Sequence, residues 1–334
     1  MSELRIFVLM LVALAWLPPP LGAAGVPAPE GFTKPFPNSR HVAVQGVELH
    51  VREWRPRGEA PAADRARCPV LLVHALAGST YSFRHVAPAL ANAGHRVLAV
   101  DLPGYGYSAR RPFEGSAAAA LWSFLEAEAP AHAWCLVGHS MGARVVGQMV
   151  ADAPSRVAAV AYLSGSPMRE RRRNPAMFRA QPLRGIVLAL AERRYLHAQG
   201  LSKALEDGLG RPPDAAELAA YLAPLQVPGT LPAILDGYAS DMGPDRTDPS
   251  RLSGVPSLVL WGSHDRWLKP DVGERLASSL PAATWVQVDG AAHSPMETHP
   301  REVVTPLLEF FAAGAGGHAL AGSINQEAAE PSLR

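Results

Sequence analysis

The sequence predicts an α/β protein, a mostly parallel sheet with helices on both faces, and three observations carry that reading. Short continuous apolar runs suited to buried parallel strands recur along the chain: PVLLVHA, HRVLAVD, WCLVG, RVAAVAYLSG, VPSLVLWG and ATWVQVDG. Helical patterns alternate with most of them. The composition is globular, with 334 residues, 48% hydrophobic and 18% charged, enough for a sizeable core. A formal net charge of +1 gives no electrostatic reason to expect a nucleic-acid or polyanionic partner.

The first element, residues 1–24, has the plan of a secretory signal peptide. Arg5 supplies a positive start, Ile6 to Leu17 form a 12-residue apolar run, and Gly22-Ala23-Ala24 offers small residues for cleavage. That run is short of the roughly 20 residues a membrane span needs, and Pro18-Pro19-Pro20 stops a helix there. Export is therefore expected, to the periplasm or the exterior, with an uncleaved membrane anchor as the alternative. A Pro-rich linker follows over 25–39.

The first part of the α/β core spans 40–167. HVAVQGVELHVREW alternates around Gln45-Gly46 and reads as a β-hairpin. PVLLVHA is a strand, SFRHVAPALANAG a helix ending at Gly94, and HRVLAVD a strand. SAAAALWSFLEAEA is helical, WCLVG a strand, MGARVVGQMVADA a helix with Val145, Val146, Met149 and Val150 on one face, and RVAAVAYLSG a strand. The alternation then stops. Residues 168–254 show only helical patterns and read as a cap over one end of the sheet. The core resumes over 255–312, and 313–334 is a small, polar tail expected to be disordered.

The chemistry centres on WCLVGHSMGARVV, where a buried strand runs into Gly138-His139-Ser140-Met141-Gly142 and then a helix. A serine hydroxyl needs a base and an exposed position to act as a nucleophile. Glycines two before and two after Ser140 let the backbone take a sharp strand-to-helix bend, and the helix N-terminus faces developing negative charge. G-x-S-x-G alone is a weak signal; the flanking strand and helix give it weight. His139 points away from its neighbour on such a bend and is a poor candidate base.

An orienting acid belongs just past a strand end, where SLVLWGSHDRW supplies Asp265; Asp289 and Asp271 are fallbacks. The base belongs after the last strand, where VQVDGAAHSPMETHP supplies His293, while His299 reads as a cap of the next helix. With Asp265 on one ring nitrogen of His293, the other is left to accept the Ser140 proton. Two backbone N–H groups must then hold the oxyanion. Met141, directly after the nucleophile, is one; Leu76, in HALAGSTYSF, is the other.

Taken together, LLVHALAGSTYSFR, AVDLPGYGYS, LVGHSMG, LVLWGSHD and GAAHSPMETHP, in that order, resemble the α/β-hydrolase superfamily over about residues 40 to 312. The branch is that of capped, cofactor-free serine hydrolases, esterase/lipase-like and haloperoxidase-like. The resemblance implies an eight-stranded, mostly parallel sheet with a helical cap, no metal and no organic cofactor. It also implies two departures. Relatives often carry His-Gly where this chain has His74-Ala75. Relatives that open epoxides or remove halide use an aspartate nucleophile, whereas position 140 is serine.

The family sheet order places the LLVH and WCLVG strands side by side. With Leu76 and Met141 facing one oxyanion, an offset of about 64 positions between the two strands is expected, which puts Cys135 opposite Leu71, roughly 10 Å along the strand from Cys68. That exceeds disulfide reach, so both cysteines are expected to be reduced.

The cap is expected to set specificity. GIVLALA and YLAPL could line an acyl pocket, and Tyr81, Tyr105 and Tyr107 its entrance. Arg169, Arg171, Arg172 and Arg173 read first as a solvated basic face, and second as a docking patch for an acidic substrate or a membrane surface. The expected activity is hydrolysis of a carboxylic ester or similar small acyl compound through Ser140, His293 and Asp265. The alternatives are carbon–carbon hydrolysis of a diketone-type substrate, and a slow-turnover ligand-binding protein that keeps the triad.

Overall fold

The computed structural model describes residues 35–56, 67–129, 132–168, 183–241 and 249–315. The expected signal peptide, most of the linker, the basic run at 169–173 and the tail beyond 315 lie outside the described residues.

Eight strands form one sheet: β1 (Ser39–Val44), β2 (Val47–Trp54), β3 (Val70–Val73), β4 (Val97–Val100), β5 (Trp134–His139), β6 (Val157–Leu163), β7 (Ser257–Gly262) and β8 (Ala283–Val288). Their order is β1-β2-β4-β3-β5-β6-β7-β8. β2 runs antiparallel to β1 and β4, and every pairing from β4 to β8 is parallel. The hairpin turns at Gln45 (φ 50°) and Gly46 (φ 74°), two successive left-handed residues whose twist suits the flanking strands. Every residue of β3, β4, β5 and β7 is buried. That explains why these strands read as unbroken apolar runs rather than alternations.

The sheet separates two layers of core. Leu71 and Val73 face one layer, with Leu121 and Trp122 of α2 (Ala117–Glu128), Val146 and Met149 of α3 (Met141–Asp152) and Leu276 of α8 (Pro270–Ser279). Val70 and Leu72 face the other, with Val86 and Leu90 of α1 (Val86–Asn92) and Val303, Leu307 and Phe311 of α10 (Pro300–Ala315). The two-residue period of a strand makes this division. SFRHVAPALANAG is not one helix: a 3-10 turn at Thr80–Phe83, capped by Ser79, precedes α1. Pro88 has no N–H with which to carry helical bonding back through Arg84, and it is tolerated only in the first turn of α1.

Four helices stand between β6 and β7 among the described residues: α4 (Leu183–Tyr195), α5 (Ala198–Leu209), α6 (Ala215–Leu225) and α7 (Thr230–Asp241). Gly210 ends α5 in the left-handed conformation. Asp214 and Glu217 start α6 with a reciprocal capping box. The short α9 (Pro295–Thr298) precedes α10.

The cysteines contradict the expectation. Cys68 and Cys135 form a disulfide with a Cα–Cα separation of 5.7 Å. Register is the reason. Cys135 lies opposite Val70, not Leu71, and its N–H donates to the Pro69 carbonyl at 2.8 Å. A one-residue shift exchanges the faces of a strand, so Cys68, Val70 and Cys135 all point into the same layer. The bond closes a separation of 67 residues. Reducing it is expected to cost about 4 kcal/mol by loop-closure entropy, read as a lowered Tm, and thiol titration of the unreduced native protein should find no free cysteine.

Candidate active site

β5 delivers Ser140 to the sheet edge, and α3 begins at the next residue. Ser140 has φ 50° and ψ −111°, a strained conformation for a non-glycine residue. At a helix N-cap a serine oxygen ordinarily accepts a backbone N–H; here it caps nothing, so the bend leaves Oγ for the cavity. The glycines are obligatory. A Cβ on Gly142 would lie 2.2 Å from the Val73 carbonyl oxygen, and one on Gly138 would lie 2.5 Å from the Gly142 oxygen. A third glycine not foreseen from the motif, Gly165, packs on the bend from β6, where a Cβ would lie 2.5 Å from the Ser140 oxygen.

Asp265 and His293 come together from two loops zipped to each other. Ser263 N donates to Val288 O at 2.9 Å, His264 N to Ala291 O at 2.8 Å, and Gly262 leaves room for the Ala292 carbonyl. Asp265 Oδ2 then accepts from His293 Nδ1 at 2.8 Å, with both side chains buried. Its Oδ1 accepts from the N–H groups of Trp267 and Leu268, each at 2.9 Å. The carboxylate is thus held at both oxygens, and the Nε2 of His293 is the ring nitrogen left for the cavity that His293 shares with Ser140. The fallbacks are elsewhere: exposed Asp289 accepts from Ser263, and exposed Asp271 pairs with Arg275. His299 precedes α10 and its carbonyl takes the Val303 N–H, as expected of a capping position.

Leu76 and Met141 also line this cavity. Met141 opens α3, where an N–H has no partner within the helix. Among the described residues no backbone carbonyl takes the Leu76 N–H. In the loop that follows β3 the left-handed residue is Ala77 (φ 56°), not Ala75, so alanine at 75 is compatible with the turn that Gly78 N closes onto Ala75 O at 3.0 Å. His74 fixes this loop: its Nδ1 donates to Ala75 O at 2.7 Å and its Nε2 accepts from Leu102 N at 3.0 Å. Burial lowers the pKa of His74 and keeps the ring neutral.

Several participants were invisible as such in the sequence. His139 is no base, but its Nε2 donates to the His293 backbone carbonyl at 2.9 Å, bracing the histidine loop. Burial, then the neighbouring His293, pushes the His139 pKa down to about 3, so it stays neutral. Trp267 packs its ring 4.9 Å from that of His293. Glu297, buried four residues beyond His293, accepts from Tyr221 Oη at 2.6 Å and from Arg84 at 2.5 Å. Burial holds Glu297 above the ordinary carboxylate range despite the opposing Arg84 charge. Arg84 also pairs with Glu217 of α6 at 2.6 Å, and hydrogen bonds from Arg211 draw Glu217 down to about 2.

A second serine–histidine–aspartate line exists and is not this site. Ser39 Oγ and Asp101 Oδ2 each lie 2.7 Å from a ring nitrogen of His50. All three are buried, none lines the cavity, and Asp101 Oδ1 is occupied by the Thr80 N–H at 2.6 Å. Burial acts to raise the Asp101 pKa, but the hydrogen bond and charge of His50 hold it below the usual range. This network ties the hairpin to the turn that follows the Leu76 loop.

The cavity has a volume of about 260 Å³ and is walled mainly by apolar side chains of α4 to α7, among them Val187, Leu188, Leu205, Leu225 and Ile234. Both apolar stretches singled out above contribute. The three tyrosines do not. Tyr105 is buried and packs against His74; half-buried Tyr107 packs against His50, and half-buried Tyr81 against Phe36 and Tyr221. They pack behind the loops; Tyr195 and Tyr221 line the cavity instead.

A family profile described as alpha/beta hydrolase fold matches residues 69–300. Epoxide hydrolase A of Mycobacterium tuberculosis is 31% identical over 330 residues, covering 82% of this chain and 97% of the relative. A pimeloyl-acyl-carrier-protein methyl ester esterase of Serratia marcescens is 30% identical over 227 residues, covering 65% and 84%. Among solved structures, a serine hydrolase involved in carbazole degradation superposes with a TM-score of 0.65 at 19% identity, covering 82% of this chain and 98% of that one.

Proposed function

The chain belongs to the α/β-hydrolase family, and from that premise we propose that it is an exported serine hydrolase cleaving a carboxylic ester or similar small acyl substrate. One observation carries the reading. A serine on a strained strand-to-helix bend shares a cavity with an imidazole whose Nδ1 is committed to a doubly anchored carboxylate. In this mechanism Ser140 Oγ attacks the acyl carbon as His293 Nε2 takes its proton. The N–H groups of Leu76 and Met141 hold the oxyanion. His293 returns the proton to the leaving alcohol, and the same base then activates a water that releases the acyl group from Ser140.

The nucleophile separates this chain from the relative named for epoxide hydrolysis. A carboxylate that opens an epoxide forms an ester, whose carbonyl water can attack. A serine doing the same would form an ether, which has no carbonyl through which to be released. Serine at position 140 therefore fits acyl transfer, which also accords with the relative named as a methyl ester esterase. α4 to α7 act as a cap in this reading, and their apolar lining suits an alkyl chain. Export is supported by the Cys68–Cys135 bond, since disulfides persist in oxidising compartments.

A series of p-nitrophenyl esters tests the proposal. The value of kcat/KM is expected to rise about fourfold per added methylene until the cavity is filled, then fall. No release of nitrophenol above background, even with the shortest acyl chain, would remove the ester reading. Inert esters together with cleavage of a diketone-type substrate would assign the same residues to carbon–carbon hydrolysis.

A further inference from the structure

The cavity carries a polar cluster that the hydrolytic mechanism does not use. Ser82, Tyr221 and Glu297 line it together, at 2%, 8% and 4% exposure. Tyr221 comes from α6 in the helical segment, Ser82 from the 3-10 turn and Glu297 from α9.

The direction of its hydrogen bonds follows from counting protons. Glu297, as the carboxylate partner of Arg84, only accepts: Oε1 takes the Tyr221 hydroxyl proton at 2.6 Å, and Oε2 takes Arg84 Nη1 at 2.5 Å. With the tyrosine proton committed, the 2.9 Å contact between Ser82 Oγ and Tyr221 Oη has Ser82 as donor. Both hydroxyl protons are then spent inside the cluster. Arg84 also donates to Glu217 Oε1 at 2.6 Å and to the Tyr81 carbonyl, and it does not line the cavity. What the cluster keeps is lone pairs, on Ser82 Oγ and on both Glu297 oxygens.

We propose that Ser82, Tyr221 and Glu297 form a hydrogen-bond-accepting subsite that selects esters carrying a free hydroxyl. The inference rests on the hydrolase reading above and adds the substrate class. A hydroxyl donates its proton into the cluster. An alkyl group leaves buried acceptors unpaired, and a methyl ether sets lone pair against lone pair.

Two series of hexanoate-length esters test this in the full-length, disulfide-intact protein. One varies the leaving alcohol as 4-hydroxybutyl, 4-methoxybutyl or pentyl. The other varies the acyl end as methyl 6-hydroxyhexanoate, methyl 6-methoxyhexanoate or methyl heptanoate. The hydroxyl member of one series is expected to exceed both its partners in kcat/KM by about 10- to 100-fold, the range for a hydrogen bond to a charged group; which series shows it tells which end of the substrate meets the cluster. Equal rates within both series, or an ether as good as the alcohol, would overturn the subsite.

Glu297→Gln supplies the second reading. Its amide oxygen can still accept from Arg84, while its NH2 donates to Tyr221; the tyrosine proton then moves to Ser82, and the Ser82 proton turns to the cavity. The ratio of ether to alcohol turnover should therefore rise towards one. A purely structural Glu297 would depress all members together and leave the ratio unchanged, and a ratio taken within one variant is unaffected by any loss of folded protein. A non-hydrolytic arm separates this inference from its premise: Ser140→Ala protein should bind hexane-1,6-diol at least tenfold more tightly than 1,6-dimethoxyhexane, read by thermal shift. Equal binding there would sink the subsite, whereas preferential diol binding with no ester turnover by the native enzyme would sustain it and remove only the ester reading.

Discussion

Replacing Ser140 by alanine is expected to lower kcat on any turned-over ester by about 10,000-fold or more, with the fold intact. The oxygen at this position makes no capping bond, so its loss leaves no backbone donor newly unpaired. Alanine also fits wherever a strained serine did, because both carry only a Cβ against the bend. Residual activity would come from the oxyanion N–H groups and cavity alone, which in a triad enzyme still exceed water. Since the three side chains act as a unit, His293→Ala should cost about as much as Ser140→Ala, and the double variant little more. The check is steady-state kinetics beside a Tm. A Ser140→Ala enzyme with more than a tenth of native kcat would assign the nucleophile elsewhere.

Asp265→Asn is expected to lower kcat by about 10,000-fold through the tautomer of His293. The site makes the direction of this effect unusually clear. Two backbone N–H groups, of Trp267 and Leu268, hold one carboxylate oxygen. An asparagine must keep its carbonyl oxygen there, or oppose two donors with an NH2. Its amide nitrogen is thereby forced towards His293 Nδ1, which becomes an acceptor, and the ring proton moves to Nε2, where it blocks uptake of the serine proton. Fold and substrate binding should survive, so KM is expected to change far less than kcat. A variant with native kcat, or one that loses KM alone, would show that Asp265 does not set the tautomer.

Much of this site was legible from local sequence because its parts are punctuated by backbone demands. Gly138 and Gly142 sit where any side chain would strike the Gly142 and Val73 carbonyls, and such a requirement leaves a motif. Asp265 and His293, which the structure joins by a hydrogen bond, stand out in the sequence because strand ends are visible as apolar runs that stop. Residues that work through tertiary contacts leave no such mark. Glu297 lies inside the quoted PMETHP, yet nothing local says that Tyr221, 76 positions earlier, reaches it. His139 reads from sequence only as a poor base, and its bond to the His293 carbonyl depends on a loop 154 residues away.

The Cys68–Cys135 bond likewise depends on a tertiary relation that local sequence does not show. The two strands are adjacent as expected, but their register differs by one residue, with Cys135 opposite Val70 rather than Leu71. The expected register would set Cys68 on the opposite face of the sheet from Cys135. The aromatic misreading differs. Tyr81, Tyr105 and Tyr107 were placed by their loops, but a loop position does not say which way a ring turns, and theirs pack onto His74, His50 and Phe36.

The most direct test is peptide mapping after treatment of the native enzyme with a limiting fluorophosphonate. One phosphonyl group per chain on Ser140, added at least 100-fold more slowly to Asp265→Asn, is the result expected if Asp265 and His293 activate this hydroxyl. An adduct on any other residue, or equal rates in the two proteins, would contradict it.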